Sequence, residues 1–206
     1  MKLRNTAIAL GLGAATATGL SLLKVNKDLV VGSTAVVVGA GLMIALKDKD
    51  DLNLKARNYE YFFNRAQDKF ELADYEEAIL DYNKALELSP TEICLVYSMR
   101  GNAKRNLGDF DGAISDQNKA LDFDPLYADG YFNRGIAKFK KGDFNGAIQD
   151  YSQVLKINPK DSDAFFNRAN VKKEIGDMRG ACEDWKKVAE FGDETDVTEL
   201  LKEHCE

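Results

Sequence analysis

Two apolar stretches without a single charge open the chain, residues 6–23 and 29–46, and beyond them hydrophobic positions recur in a helical pattern with a step of 34 residues. Each stretch is 18 residues long. At about 1.5 Å per residue that is roughly 27 Å, the short end of what crosses a hydrocarbon core of about 30 Å. Only Lys24-Val25-Asn26-Lys27-Asp28 separates them, so residues 1–50 are predicted to form an antiparallel transmembrane hairpin. Neither run carries the polar stripe of a water-facing helix. Gly13 and Ala17, and Ala35 and Gly39, are spaced four apart and would let two helices approach closely in lipid. Gly39-Ala40-Gly41 begins like a dinucleotide-binding turn, but the sixth position is Ile44 and the charged run 47–51 follows, so it reads as apolar helix. Lys2 and Arg4 followed by Ala15-Thr16-Ala17 also fit a cleaved signal peptide. That leaves a secreted or periplasmic protein as the alternative.

After a linker at 51–58 the punctuation is regular. Ala78, Ala113, Ala147 and Ala181 are 35, 34 and 34 residues apart, and Pro90, Pro125 and Pro159 are 35 and 34 apart. Asn64-Arg65-Ala66, Met99-Arg100-Gly101, Asn133-Arg134-Gly135 and Asn167-Arg168-Ala169 keep the same step. Gly108-Asp109, Gly142-Asp143 and Gly176-Asp177 are stop–start signals, glycine ending one helix and aspartate capping the next. A 34-residue period of helix, turn and helix predicts a solenoid.

Tyr131-Phe132-Asn133-Arg134-Gly135, then Gly142-Asp143-Phe144, Ala147-Ile148 and Val154-Leu155, closing at Pro159, resembles a tetratricopeptide repeat. Four copies are read, at 59–92, 94–127, 128–161 and 162–195, with 196–206 as a C-terminal capping helix over the last apolar edge. The implied fold is an all-α solenoid. The chain departs from the family at position seven, where Arg replaces Leu, and at position eleven, where Lys69, Lys104, Lys138 and Lys172 replace an aromatic residue. This variant is similar to repeats of bacterial, including cyanobacterial, proteins.

Position 23 of every repeat is Asp. Arg65 and Asp81, Arg100 and Asp116, Arg134 and Asp150, and Arg168 and Asp184 are each 16 apart, which predicts a structural ion-pair ladder rather than four active sites. The spacing leaves open whether each pair closes within a repeat or between neighbours.

Charge divides the chain. Residues 1–50 carry a net +3, and residues 51–206 hold 22 basic and 31 acidic side chains, a net −9. Such acidity disfavours nucleic acid as a partner. The only His is His204, and Cys94, Cys182 and Cys205 form no CxxC, so no metal site, cofactor site or catalytic triad is expected. Cys182 and Cys205 are placed to lie close, and in a reducing cytoplasm both are expected to be thiols; a disulfide between them is the alternative and would signal an oxidising compartment.

The resemblance implies that the first helices line a concave surface. The residues expected to face it are Phe63, Asn64 and Gln67; Ser98, Asn102 and Arg105; Phe132, Asn133, Ile136 and Lys140; and Phe166, Asn167, Asn170 and Lys173. Aromatic anchors, amides and a few cations suit a peptide or protein partner. The family's clamp for a C-terminal carboxylate is not matched, because its cationic positions hold Ser98, Asp163 and Asn167. The expected protein is therefore a non-enzymatic, membrane-anchored interaction scaffold, assisting assembly of a membrane complex; a hairpin-driven membrane oligomer is a further alternative. Seven basic residues flank the outer ends of the two runs against two in their loop, which directs the repeats to the cytoplasm or stroma of a bacterial inner or thylakoid membrane.

Overall fold

Residues that alternate between a small side chain and a large one on facing helices set the architecture. The structure, a computed structural model, describes residues 54, 57–88, 92–191 and 197–206, all within one compact unit, Leu46–Glu206. The predicted membrane hairpin lies outside the described residues. Among the described residues no helix is long and apolar enough to cross a membrane.

Helix α1 covers 57–71 among the described residues. It is followed by α2 (Tyr75–Glu87), α3 (Ile93–Asn106), α4 (Phe110–Phe123), α5 (Ala128–Lys141), α6 (Phe144–Ile157), α7 (Ser162–Glu174), α8 (Met178–Phe191) and α9 (Thr198–His204). Each helix from α2 to α9 packs on its neighbour in sequence, and α3 also touches α5. This is an all-α solenoid of the tetratricopeptide-repeat kind.

The turns form for local reasons. Gly108, Gly142 and Gly176 sit at φ +82°, +87° and +82°, the left-handed conformation that closes a helix, and Ala73 takes the same place at φ 62° despite its Cβ. Asp109 and Asp143 then accept from the backbone N–H of Gly112 and Gly146 at 2.9 Å, capping α4 and α6. Asp161 accepts from Ala164 N–H at 2.8 Å and starts α7.

Position 24 supplies a large buried side chain in every repeat: Tyr82, Gln117, Tyr151 and Trp185 are each no more than 1 % exposed. Position eight answers with Ala66, Gly101, Gly135 and Ala169. A Cβ built at Gly135 would lie 2.9 Å from the Tyr151 ring, so that close crossing of α5 and α6 requires glycine.

The ladder closes within each repeat. Arg65 donates through Nε and Nη2 to Asp81 at 2.6 Å both times. The paired distances are 2.8 and 2.5 Å for Arg100–Asp116, 2.9 and 2.6 Å for Arg134–Asp150, and 2.8 and 2.7 Å for Arg168–Asp184. The carboxylates are buried and the bidentate geometry is the strong form of the pair. Each Asp also meets the Lys at position eleven: Lys69 at 2.9 Å, and Lys104, Lys138 and Lys172 at 2.8 Å. The remaining guanidinium nitrogen reaches back one repeat. Arg100 donates to Asn83 Oδ1 and Arg134 to Asn118 Oδ1 at 2.6 Å, and Arg168 to Ser152 Oγ at 2.9 Å. Phe62, Tyr97, Tyr131 and Phe165 lie under the four guanidinium groups at 5.3 to 5.6 Å.

At the C-terminal end α9 folds onto α8. Val197, Leu200 and Leu201 join Ala181, Trp185 and Val188 in one apolar cluster, so α9 is the expected cap. The expectation of two thiols there is corrected: Cys182 and Cys205 are disulfide-bonded, because the fold-back brings their Cα atoms to 5.7 Å. Cys94 is free.

The hydrogen bonds from Arg65, helped by Lys69, hold the Asp81 carboxyl down at about 2 against the opposing effect of burial. An ionised carboxylate favoured in the native state stabilises above its unfolded value near 4, and that contribution is lost as pH falls through about 2. The difference in unfolding free energy between the protein and Asp81→Asn should therefore be about 1–2 kcal/mol above pH 5, discounted for solvent screening of the exposed partners. It should narrow steadily between pH 4 and pH 2. Urea denaturation across that range checks it; a difference that does not change with pH would show that the carboxylate charge is not what Asp81 contributes.

Candidate functional site

The helices that open each repeat, α1, α3, α5 and α7, bring the expected groove residues together by position. Their aromatic members are divided between groove and core. Phe63 packs against the cluster of Ala66 and Tyr82, Phe132 against Ala147 and Tyr151, and Phe166 against Ala169 and Trp185, each half-buried. Phe63 and Phe132 lie 6.0 and 5.7 Å from the Tyr82 and Tyr151 rings. Ile136 joins the same cluster as Phe132.

The amides differ more. Ser98 is buried, its backbone carbonyl accepts from Gln117 Nε2 at 3.1 Å, and its hydroxyl accepts from Asn133 Nδ2 at 3.4 Å. Ser98 is thus part of the packing between α3, α4 and α5, and Asn133 is turned toward it. Asn167 donates to its own helix, at Asp163 O, 2.8 Å away. Asn64 is exposed; Gln67 and Asn170 are half-buried. Asn102 presents a buried Oδ1 that has no hydrogen-bond partner among the described residues.

Arg105, one turn along α3 from Asn102, is the outlier among the arginines. Its Nε is buried and unpartnered. Burial holds its guanidinium below the ordinary value, opposed only by the electrostatic influence of Tyr151 and Tyr75. An arginine does not give up its proton at accessible pH, so the charge stays and its solvation is only partly replaced. No carboxylate among the described residues pairs with it, in contrast to the four ladder arginines. Lys140 and Lys173 occupy the last turns of α5 and α7, as Arg105 does in α3. Lys140 is exposed; Lys173 Nζ lies 3.2 Å from His204 Nε2. Cations in last turns also offset the helix dipoles, but that role does not need a buried, unpartnered Nε.

The first turns of α5 and α7 are acidic, at Asp129 and Asp163. A small cleft of about 140 Å³ is lined by Ala128, Asp129, Phe132, Val154, Asp161 and Asp163. In α5 and α7 a cationic last turn and an acidic first turn make the helix surface polar along its length. Among the described residues no group of three or more His, Cys, Asp or Glu is arranged to hold a metal ion.

Sequence reading missed two features. The third ladder contact, at Asn83, Asn118 and Ser152, is signalled only by a polar residue at position 25. The orphaned Nε of Arg105 has no sequence signature, since it depends on which neighbours fail to reach it.

Two family models described as tetratricopeptide repeat match residues 59–92 and 128–161, and a third, described as TPR repeat, matches residues 101–142. No curated protein matches the chain. Among solved structures, the first TPR of Spaghetti (RPAP3) bound to the HSP90 peptide SRMEEVD is 25 % identical, with a TM-score of 0.56 over 59 % of this chain and 95 % of that one. The first TPR domain of human RPAP3 is 25 % identical, with a TM-score of 0.55 over 58 % and 93 %. MamA from Desulfovibrio magneticus, at 18 % identity and a TM-score of 0.61 over 67 % and 77 %, shares the fold.

The two asparagines are therefore expected to behave differently. Asn133→Ala should cost about 0.5–1 kcal/mol of stability, because it removes the bond to the buried Ser98 hydroxyl. Asn167→Ala should be close to neutral. Urea unfolding of both variants checks this; a larger loss at Asn167 would reverse the assignment.

Proposed function

The chain is a tetratricopeptide-repeat protein, and from that premise we propose that its repeats form a non-enzymatic scaffold that binds an extended, acidic segment of a partner protein along the first-helix face. The carrying observation is Arg105, a partly buried guanidinium without a carboxylate in a protein where every ladder arginine has one. A partner carboxylate would meet the terminal nitrogens of this guanidinium and supply the counter-charge it lacks, the buried Nε itself being out of reach. Lys140 and Lys173 extend the attraction along the next two repeats, and the exposed edges of Phe132 and Phe166 give apolar contact. The peptide bound by the similar Spaghetti domain supports a peptide-binding reading; the terminal-carboxylate clamp remains unmatched here, so the segment is read as internal.

The two apolar runs, 6–23 and 29–46, are proposed to anchor this scaffold in a membrane, with the repeats facing the cytoplasm or stroma and serving assembly of a membrane complex. The charge asymmetry around the runs supports that side. A second reading is supported by the Cys182–Cys205 disulfide, which suits an oxidising compartment. In that reading the first run is a cleaved signal and the repeats are secreted or periplasmic.

Fluorescence anisotropy of labelled twelve-residue peptides with acidic, neutral and basic sequences tests the groove. The acidic set should bind tightest, and Arg105→Ala should weaken it roughly tenfold or more, the value of a charge-assisted contact. Equal binding of acidic and neutral peptides, or no effect of the substitution, would remove the proposal. Intact mass and fractionation of the native protein separate the two anchoring readings. A full-length chain that stays in membranes after an alkaline wash supports the anchor, and loss of about 17 residues from the N-terminus supports the signal peptide.

A further inference from the structure

The C-terminal end of the solenoid contains a site that peptide binding does not use. Cys182, on α8, is bonded to Cys205, just beyond α9, and both residues are only half-buried. Beside them lies a cleft of about 380 Å³ lined by Met178, Arg179, Cys182, Glu183, Lys186, His204 and Cys205. The cleft opens onto both sulfur-bearing residues, so an incoming thiolate can approach the bond; Arg179 at its wall is paired with Glu183 at 3.3 Å, and Lys186 is the wall's other cation.

The bond also holds an element that is weak without it. Helix α9 has 7 residues, too few for a helix to persist alone in water. It is held by apolar contact of Val197, Leu200 and Leu201 with the α8 cluster. Trp185, fully buried, stacks on His204 at 5.9 Å, and the Cys182 sulfur lies 3.5 Å from the His204 carbonyl. The disulfide therefore ties down the residues that cover Trp185.

We propose that Cys182 and Cys205 form a thiol–disulfide exchange site, whose reactant is a protein dithiol of the CxxC class and whose state sets whether α9 covers the last repeat. One thiolate of the dithiol attacks a sulfur of the pair, forming a mixed disulfide and releasing the other cysteine as a thiolate that takes up a proton. The second thiol of the reactant then displaces the remaining cysteine. Two electrons pass to the pair, which ends as two thiols, and the reactant ends as its own disulfide. The reverse exchange, with an oxidised dithiol, restores the bond. In the reduced state α9 loses its covalent tether, and the apolar edge at Trp185 and Val188 opens to water.

Trp185 is the only tryptophan of the chain, so the full-length protein reports on the site without substitution. Air-oxidised protein should alkylate at Cys94 alone, emit as a buried indole and resist proteolysis at Lys186 and Lys202. Dithiothreitol or a reduced CxxC oxidoreductase should expose two more thiols, at 182 and 205, shift Trp185 emission to the red and open the C-terminal segment to trypsin. The unfolding midpoint should fall by roughly 5–10 °C. Cys94→Ser should respond identically, and the double variant Cys182→Ser, Cys205→Ser should resemble the reduced protein and ignore the reductant. Three free thiols in the air-oxidised protein would overturn the site. Reduction of the bond with no change in Trp185 emission, proteolysis or melting would overturn its control of α9.

Discussion

A buried carboxylate must find positive charge, and the bidentate pairing of Arg with Asp in every repeat is the interaction on which the rest of this structure depends. Taking Asp81, Asp116, Asp150 and Asp184 out of water costs several kcal/mol each unless their lone pairs are filled. Two guanidinium bonds and a lysine fill them. The same guanidinium then stacks on an aromatic side chain of its own helix, and from the second repeat onward it bonds to the preceding repeat. One arginine thereby fixes the first helix of a repeat, the second helix, and the step to the repeat before it. Leucine at that position, as the family usually has, packs but supplies no such directional constraint. The variant exchanges apolar contact for geometry.

That geometry gives the groove its chemistry. Each ladder carboxylate meets both an arginine and a lysine, and outside these rungs the first helices carry Arg105, Lys140 and Lys173 in their last turns and Asp129 and Asp163 in the first turns of α5 and α7. In the proposed function a net acidic domain holds an acidic segment because local charge, not the total, decides what a groove attracts. The aromatic residues contribute in a different way. Phe63, Phe132 and Phe166 are shared between core and surface, so they stiffen the wall while leaving an edge for contact.

The fold was legible because its determinants are local and repeated. The Gly-Asp stops, the small residue at position eight and the Arg–Asp interval each recur at a fixed step, and repetition separates a structural pattern from chance. The cap was legible from amphipathicity, and the nearness of Cys182 and Cys205 followed from its folding back. Their bond did not, because oxidation state belongs to geometry and surroundings and leaves no mark on spacing. The groove was less readable. Positions expected to face a partner by analogy with other repeats include Ser98, which is buried here by Asn133, Gln117 and the crossing of α5. A serine is small enough for the neighbouring helix to close over it, and sequence alone does not say that it does. Arg105 was placed correctly on α3, but its missing partner is a property of the assembled neighbourhood. The apolar head, residues 1–50, stands on hydropathy and charge alone.

The claim that the ladder works as a coupled unit is tested most directly by a double-mutant cycle at the third rung. Urea unfolding of Arg134→Ala, Asp150→Ala and the double variant gives the coupling between the two side chains. The account predicts about 2 kcal/mol of favourable coupling, with either single variant costing nearly as much as the double, because each leaves a buried charge without its main partner. Additive losses, with coupling within about 0.3 kcal/mol of zero, would mean that the two residues act independently and that the repeats are held in register by their apolar contacts alone.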